Sequence, residues 1–281
     1  MNAKALALAA LLLPGSVEAQ GFAGLGTTAE GFAIPERGIA LEFPADHGPH
    51  PEYRIEWWYV TATLEAADGA LMGVQWTLFR SALQPLEAEG WESPQIWMGH
   101  AATTTADQHF VTERLARGGV GQAGVDITSG FRAWIDEWEM TGPDLQTVRL
   151  TAQGPDFAYD LDLQASHEFV PQGDGGYSVK SRDGQASYYY SQPFYEVAGT
   201  ITLPSGPVDV TGNAWLDREW SSQPLSETQS GWDWFSLVFD DGARLMGFRL
   251  RDNAGPEFTA ATWISPDGTP TPFPDGAFQA E

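Results

Sequence analysis

The chain has 281 residues, with 38 Asp and Glu against 14 Lys and Arg, a formal charge of −24, and no cysteine. That balance excludes nucleic acid and anionic lipid as partners, because no basic cluster offsets the repulsion. The absent thiol excludes disulfides, thiolate catalysis and anchoring through a lipidated cysteine. Aromatic residues make up 12 % of the chain, with 12 Trp among them, more flat side chains than a core alone requires.

The N-terminus reads as a secretory signal. Lys4 supplies the positive charge, residues 5–13 form an unbroken apolar run, and Val17-Glu18-Ala19 offers the small residues of a cleavage site after Ala19. The run is far shorter than the roughly 20 residues of a membrane-spanning helix. The expected location is therefore the periplasm or the exterior, with a signal peptide over 1–19 and a flexible Gly- and Ala-rich segment over 20–42.

From Glu56 onward the pattern becomes period-two alternation in short runs. Residues 57–64 (WWYVTATL) are rich in strand formers, Ala67-Asp68-Gly69 is a turn, and 71–80 is the return strand carrying Trp76. Further strands are expected over 95–105, 130–139, 147–153, 158–164, 185–190, 195–203 and 208–216, with Gly, Pro, Asp and Asn between them. One short helix is expected near 106–116. About ten short strands at regular spacing point to an all-β fold, a closed antiparallel barrel or a sandwich.

An internal repeat sharpens this expectation. EWWYVTATLEAADGALMG (56–73) reappears as GWDWFSLVFDDGARLMG (231–247), aligning Trp57 with Trp232, Tyr59 with Trp234, and Asp68-Gly69 with Asp241-Gly242. A second unit starting near Gly231 has about fifty residues left, too few strands to close. Two barrel units are expected, 43–228 and an incomplete, truncated one over 229–281.

Four stretches carry a family resemblance: FPADHGPHPEYRIEWWYVTATL (43–64), GHAATT (99–104), QGDGGYSVKSRDGQASYYYSQP (172–193) and GNAWLDREWSSQPL (212–225). Together they resemble the carotenoid 1,2-hydratase family (hydroxyneurosporene synthase), most closely its secreted AttH-like branch, whose members carry the label "predicted secreted hydrolase". The resemblance implies tandem lipocalin-like antiparallel β-barrels. It also implies a cofactor-free hydratase or hydrolase-like enzyme acting on a lipophilic small molecule. Branch members resemble accessory proteins of ABC-type exporters, which implies such a transporter as a partner and leaves a non-catalytic carrier open. The chain is expected to act as a monomer.

Conventional catalytic signatures are missing. There is no G-x-S-x-G elbow, no phosphate loop and no dinucleotide fingerprint, so no cofactor is expected. Asp46-His47-x-x-His50 lacks standard zinc spacing, so no metal is expected there. Those residues either fix the segment leading into the first strand or act at a pocket mouth. In Trp215-Leu216-Asp217-Arg218-Glu219-Trp220, alternation sets Asp217 and Glu219 on one strand face and Arg218 and Trp220 on the other. Two readings stay open: a buried ion pair with Glu56 or Arg80, or acid groups in an aromatic cavity. Hydration of an alkene needs a strong acid and a π-rich cavity to stabilise a carbocation. Under the resemblance, the catalytic candidates are Asp217, Glu219, Arg218, Glu56, His47 and His50. The ligand-binding candidates are Trp57, Trp58, Tyr59, Trp76, Tyr189, Trp220 and Trp232. In the hydratase branch the motif reads Asp-His-Asn-Trp. Asp217 and Trp220 match it, but Arg218 stands in place of the histidine, which argues against hydration of a carotenoid itself. His100 reads as a core histidine.

Overall fold

The computed structural model describes residues 30–280 apart from Pro224 and Glu227, so the expected signal peptide lies outside the described residues. Within the segment expected to be flexible, the Ala33 N–H donates to Glu52 O (3.0 Å) and the Glu36 N–H to the Tyr188 hydroxyl (2.9 Å).

The described residues are almost wholly β, as the alternation implies. Thirteen strands form one antiparallel sheet: β1 (Ile55–Ala66), β2 (Leu71–Ala82), β3 (Gln95–Thr104), β4 (His109–Arg117), β5 (Ala123–Asp126), β6 (Phe131–Ile135), β7 (Trp138–Asp144), β8 (Thr147–Gln153), β9 (Ala158–Ala165), β10 (Val170–Pro171), β11 (Tyr177–Val179), β12 (Ala186–Leu203) and β13 (Gly206–Ser221). The path β4-β3-β2-β1-β13-β12-β9-β8-β7-β6-β5 curls into a nearly closed barrel, with β10 and β11 paired to β12. Four more strands, β14 (Gln229–Val238), β15 (Arg244–Asp252), β16 (Phe258–Ile264) and β17 (Pro270–Phe273), form a separate sheet in sequence order that does not close.

The barrel interior is filled. Alternate residues of β1 and β2 (Trp58, Val60, Leu64, Trp76, Leu78) meet Trp138, Ile135, Met140 and Leu150 from the far wall. Each such buried side chain contributes roughly 1.5–3 kcal/mol. The near closure depends on Gly99 in β3, where a Cβ would lie 2.7 Å from Ile135 Cγ2 and 3.1 Å from the Trp138 ring. A side chain there overpacks the seam. Gly99→Leu is expected to lower stability by about 1–3 kcal/mol, read as a fall in the urea midpoint; an unchanged midpoint would mean that the seam is loose.

Three sequence expectations need correction. The helix near 106–116 is instead strand β4, paired residue by residue with β3. Val111 and Leu115, four apart, imitate a helical face, yet both sit on the exposed side of the strand. The single strand over 130–139 is a hairpin, β6 and β7, turning at Asp136 with φ +51°. The runs at 185–190 and 195–203 merge into the 18-residue β12, whose register slips between Gln192 and Tyr195, around Pro193.

The sequence repeat has a structural counterpart. In the β1–β2 turn, the Gly69 N–H (φ +86°) bonds Ala66 O and the Asp68 carboxylate accepts from the Ala70 N–H. In the β14–β15 turn, the Gly242 N–H (φ +90°) bonds Phe239 O and the Asp241 carboxylate accepts from the Ala243 N–H. The second sheet lies on the outer face of the barrel, where Tyr189, Phe194 and Trp215 meet Met246, Phe248, Leu250 and Ile264. Arg244 Nε donates to Pro193 O (3.1 Å) and Gln229 Nε2 to Lys180 O (3.0 Å), which ties the two sheets together.

Candidate functional site

Because successive side chains of a strand alternate, each barrel strand presents a second row of residues outward. The β-ladder aligns His100 with Thr77, Thr77 with Tyr59, Tyr59 with Asp217, and Asp217 with Ser191 in one row across five strands. The next row places Trp57 beside Glu219 and Glu219 beside Tyr189. These rows floor a cavity of about 400 Å³, and Trp232, Trp234, Phe248 and Leu250 of the second sheet roof it. The two copies of the repeat thus supply opposite walls: Trp57 and Tyr59 from β1, Trp232 and Trp234 from β14. Tyr59 and Trp234 meet edge to face, their centroids 5.7 Å apart.

Asp217 is the group with the most unusual surroundings in this cavity. One carboxyl oxygen, Oδ1, accepts from Ser191 Oγ (2.6 Å), Tyr189 Oη (2.8 Å) and Trp215 Nε1 (2.8 Å). The other, Oδ2, is buried without a hydrogen-bond partner among the described residues. Burial pushes the carboxyl up to about 7; the three donors oppose this, and the negative Glu219 adds to it. Burial and the same Asp217 raise the Tyr59 phenol to about 12, so it stays neutral. Glu219 is held differently: its Oε1 takes Lys180 Nζ (2.7 Å) and Ser187 Oγ (2.5 Å), and Lys180 lies 4.3 Å from the Phe248 ring centroid. Two carboxyls on one face, one buried without a cationic partner and one ion-paired, are the arrangement in which an acid and a charged partner take separate roles.

Of the sequence candidates, Asp217, Glu219, Trp57, Tyr59, Tyr189 and Trp232 all line this cavity. The others do not. Trp58 and Trp76 point into the packed barrel, since the residues between the cavity-facing ones must face the opposite way. Glu56 and Arg218 are fully enclosed on that inner face, where Glu56 accepts from Arg80 Nε and from Arg218 Nη2 (2.5 Å). Burial raises the Glu56 carboxyl, but Arg80 and Arg218 outweigh it and hold the group well below the usual carboxylate range. The cluster also fixes the segment before β1: Arg218 bonds Gly48 O (2.5 Å), and Arg80 bonds His50 O (2.7 Å) and Tyr53 O (2.8 Å).

His50 belongs to this cluster. Burial disfavours its proton, but Asp46 and Glu56 on either side outweigh that and raise its pKa. Its ring stacks on Trp220 at 4.1 Å, and the Arg218 guanidinium, 3.0 Å from His50 Nδ1, lies against the same indole. His47 bonds the Tyr190 hydroxyl (2.7 Å), and burial, with Arg218 nearby, lowers its pKa to about 4. Glu56, Arg218, His47, His50 and Trp220 therefore build a clamp and do not reach the cavity. Of the two readings of the 215–220 motif, alternation realises both, one on each face.

Several residues of the site were not among the sequence candidates. Trp234 could have been found, because the repeat aligns it with Tyr59. Lys180, Ser187 and Ser191 could not, since only the ladder registers bring them to Asp217 and Glu219. His100, read as a core residue, is half-buried at the end of the Asp217 row.

The AttH-like family pattern matches residues 34–281. A Nitrosomonas europaea protein described as an AttH has a similar crystal structure, with 34% identity over 86% of this chain and 75% of that one and a TM-score of 0.77. Kievitone hydratase from Nectria haematococca shares the fold at 12% identity (88% and 72% of the chains, TM-score 0.62). CghA in complex with Sch210972 does so at 14% identity (85% and 67%, TM-score 0.51). No curated protein matches the sequence. By pattern, identity and coverage, the chain belongs to the AttH-like family.

Proposed function

We propose that this protein is a cofactor-free, hydratase-like enzyme that protonates an alkene of a lipophilic small molecule in the cavity between the barrel and the second sheet. One observation carries the reading: Asp217 is buried among aromatic rings with Oδ1 fixed by three donors and Oδ2 without a partner. A carboxylic acid kept neutral near pH 7 by desolvation can deliver its proton where water alone cannot.

The chemistry follows from the walls. The Oδ2 proton moves to one alkene carbon, forming a C–H bond from the π electron pair and leaving a cation on the other carbon. The faces of Trp57, Tyr59, Trp232 and Trp234 stabilise that cation. Water adds its oxygen to the cation and returns a proton to the Asp217 carboxylate, which closes the cycle with one water consumed. Glu219, fixed by Lys180, orients that water. A cavity of about 400 Å³ lies near the low end for drug-sized ligands, which favours a substrate smaller than a carotenoid and adds to the argument from Arg218. The occurrence of a hydratase among proteins of this fold accords with the reading. The charged, apolar N-terminus supports export, and we place the protein outside the cytoplasm as a monomer, with an ABC-type exporter as its expected neighbour.

The test begins with the protein itself. Small molecules extracted from the purified chain are identified by mass spectrometry and returned to it in oxygen-18 water. Gain of one labelled water in the product supports the enzyme. Recovery of the unchanged ligand, with quenched tryptophan fluorescence, would identify a carrier instead.

A further inference from the structure

Asp217 does not make its contacts within the barrel alone. Tyr189 Oη, which donates to Asp217 Oδ1 (2.8 Å), itself accepts from Trp234 Nε1 (3.2 Å), and Trp234 stands on β14 of the second sheet. A phenol that accepts one hydrogen bond becomes a better donor in the next, because chained hydrogen bonds polarise one another. The indole N–H also removes the alternative in which the Tyr189 hydroxyl turns to accept from a protonated Asp217. With Oδ1 committed to three donors, Oδ2 is the oxygen left free to carry the proton. Tyr189 and Trp215 are packed in the same apolar cluster as Phe248 and Leu250, so the chain of bonds exists only while the second sheet is seated on the barrel.

We infer that Trp234 is a positioning residue which, through Tyr189, fixes the free oxygen of Asp217 as the proton-bearing one, so that the acid is assembled by the seating of the second sheet. This rests on the reading of Asp217 as the acid, and extends it to a residue of the opposite wall. The other titratable groups facing Asp217 are Glu219 on its own strand, Lys180 after β11, Tyr59 on β1, Tyr189 on β12 and His100 on β3. The second sheet faces it with Trp232, Trp234, Phe248 and Leu250, none of which carries charge. A change at Trp234 therefore reaches Asp217 by hydrogen bonding or by admitting water, and these have opposite signs. Loss of a donor raises the Asp217 midpoint, whereas hydration lowers it.

The experiment is a carbon-13 NMR titration of aspartate-labelled protein. The Asp217 carboxyl is assigned by its absence in Asp217→Asn. Tyr189→Phe is expected to move the midpoint up by about one pH unit and Trp234→Phe by about half of that. The double variant should titrate with Tyr189→Phe alone, since Trp234 acts through the hydroxyl that variant lacks. An unmoved or lowered midpoint in Trp234→Phe, or a shift that adds to that of Tyr189→Phe, would overturn the inference while leaving the acid reading intact. An Asp217 that titrates in the ordinary carboxylate range in the unmutated protein would overturn the acid reading itself. Should Trp234→Phe fail to fold, the indole nitrogen-15 spectrum of the unmutated protein substitutes. There the Trp234 N–H resonance is expected to follow the Asp217 midpoint, and its indifference to that titration would overturn the coupling.

Discussion

Asp217→Asn is expected to reduce turnover of the co-purifying ligand by roughly a hundred- to ten-thousand-fold while leaving its affinity within a few-fold of the original. Asparagine keeps an oxygen where Oδ1 accepts from Tyr189, Ser191 and Trp215, so the cavity wall stays in place. What it removes is the proton. The same substitution has a signature in stability. The Asp217 midpoint rises from 3.8 in the free residue to about 7 in the fold. Its contribution to stability is therefore fully present below pH 4 and is lost as pH rises to 7, since the unfolded chain ionises freely over that range while the fold holds the carboxyl neutral. The gap corresponds to about 4 kcal/mol. Urea unfolding at pH 4 to 8 should show a decline in the unmutated chain that is flattened in Asp217→Asn. Parallel pH profiles for the two proteins would mean that Asp217 is ionised throughout. Activity should fall later, above pH 7, where the folded acid itself loses its proton.

The second large effect concerns the opposite face of the same strands. Glu56→Gln is expected to cost about 3–5 kcal/mol, the range for breaking a buried ion cluster by removing one member. Arg80 and Arg218 would be left facing each other without their shared carboxylate in a site with no solvent access. Thermal unfolding should drop by more than about 6 °C. Amide exchange should quicken over residues 48–54, because the same two guanidinia hold the carbonyls of Gly48, His50 and Tyr53. A drop of less than about 2 °C with unchanged exchange would show that the clamp contributes little. Ligand affinity should survive in protein that remains folded, since the clamp and the cavity lie on opposite sides of β1 and β13.

The sequence made the strands legible because period-two alternation and Asp-Gly turns are local signals. The first hairpin, expected at 57–64 and 71–80, is Ile55–Ala66 and Leu71–Ala82. Alternation also separated Asp217 and Glu219 from Arg218 and Trp220, and the suggested partners of a buried ion pair, Glu56 and Arg80, are both in the cluster. What alternation cannot supply is which face is inside. The aromatic motif Glu56-Trp57-Trp58-Tyr59 was expected to serve one cavity, yet it divides: Glu56 and Trp58 go to the packed barrel face, Trp57 and Tyr59 to the outer cavity. The cavity lies outside the barrel because a second sheet covers that face, a long-range fact encoded only in the repeat. His47 and His50 drew attention as titratable residues near a motif, but burial and ion partners assign them to the clamp. Lys180, which alternation alone reads as packing, could not be paired from the sequence, since its partner Glu219 lies on a strand that only the fold brings beside it.

On the proposed reading, Asp217 carries a proton in the cavity near neutral pH. Isotope-edited infrared spectroscopy of aspartate-labelled protein reads this directly. A protonated carboxyl stretch should be present at pH 6, fade above pH 8 and be missing from Asp217→Asn. No such band at pH 6, or one that persists in Asp217→Asn, would contradict the account.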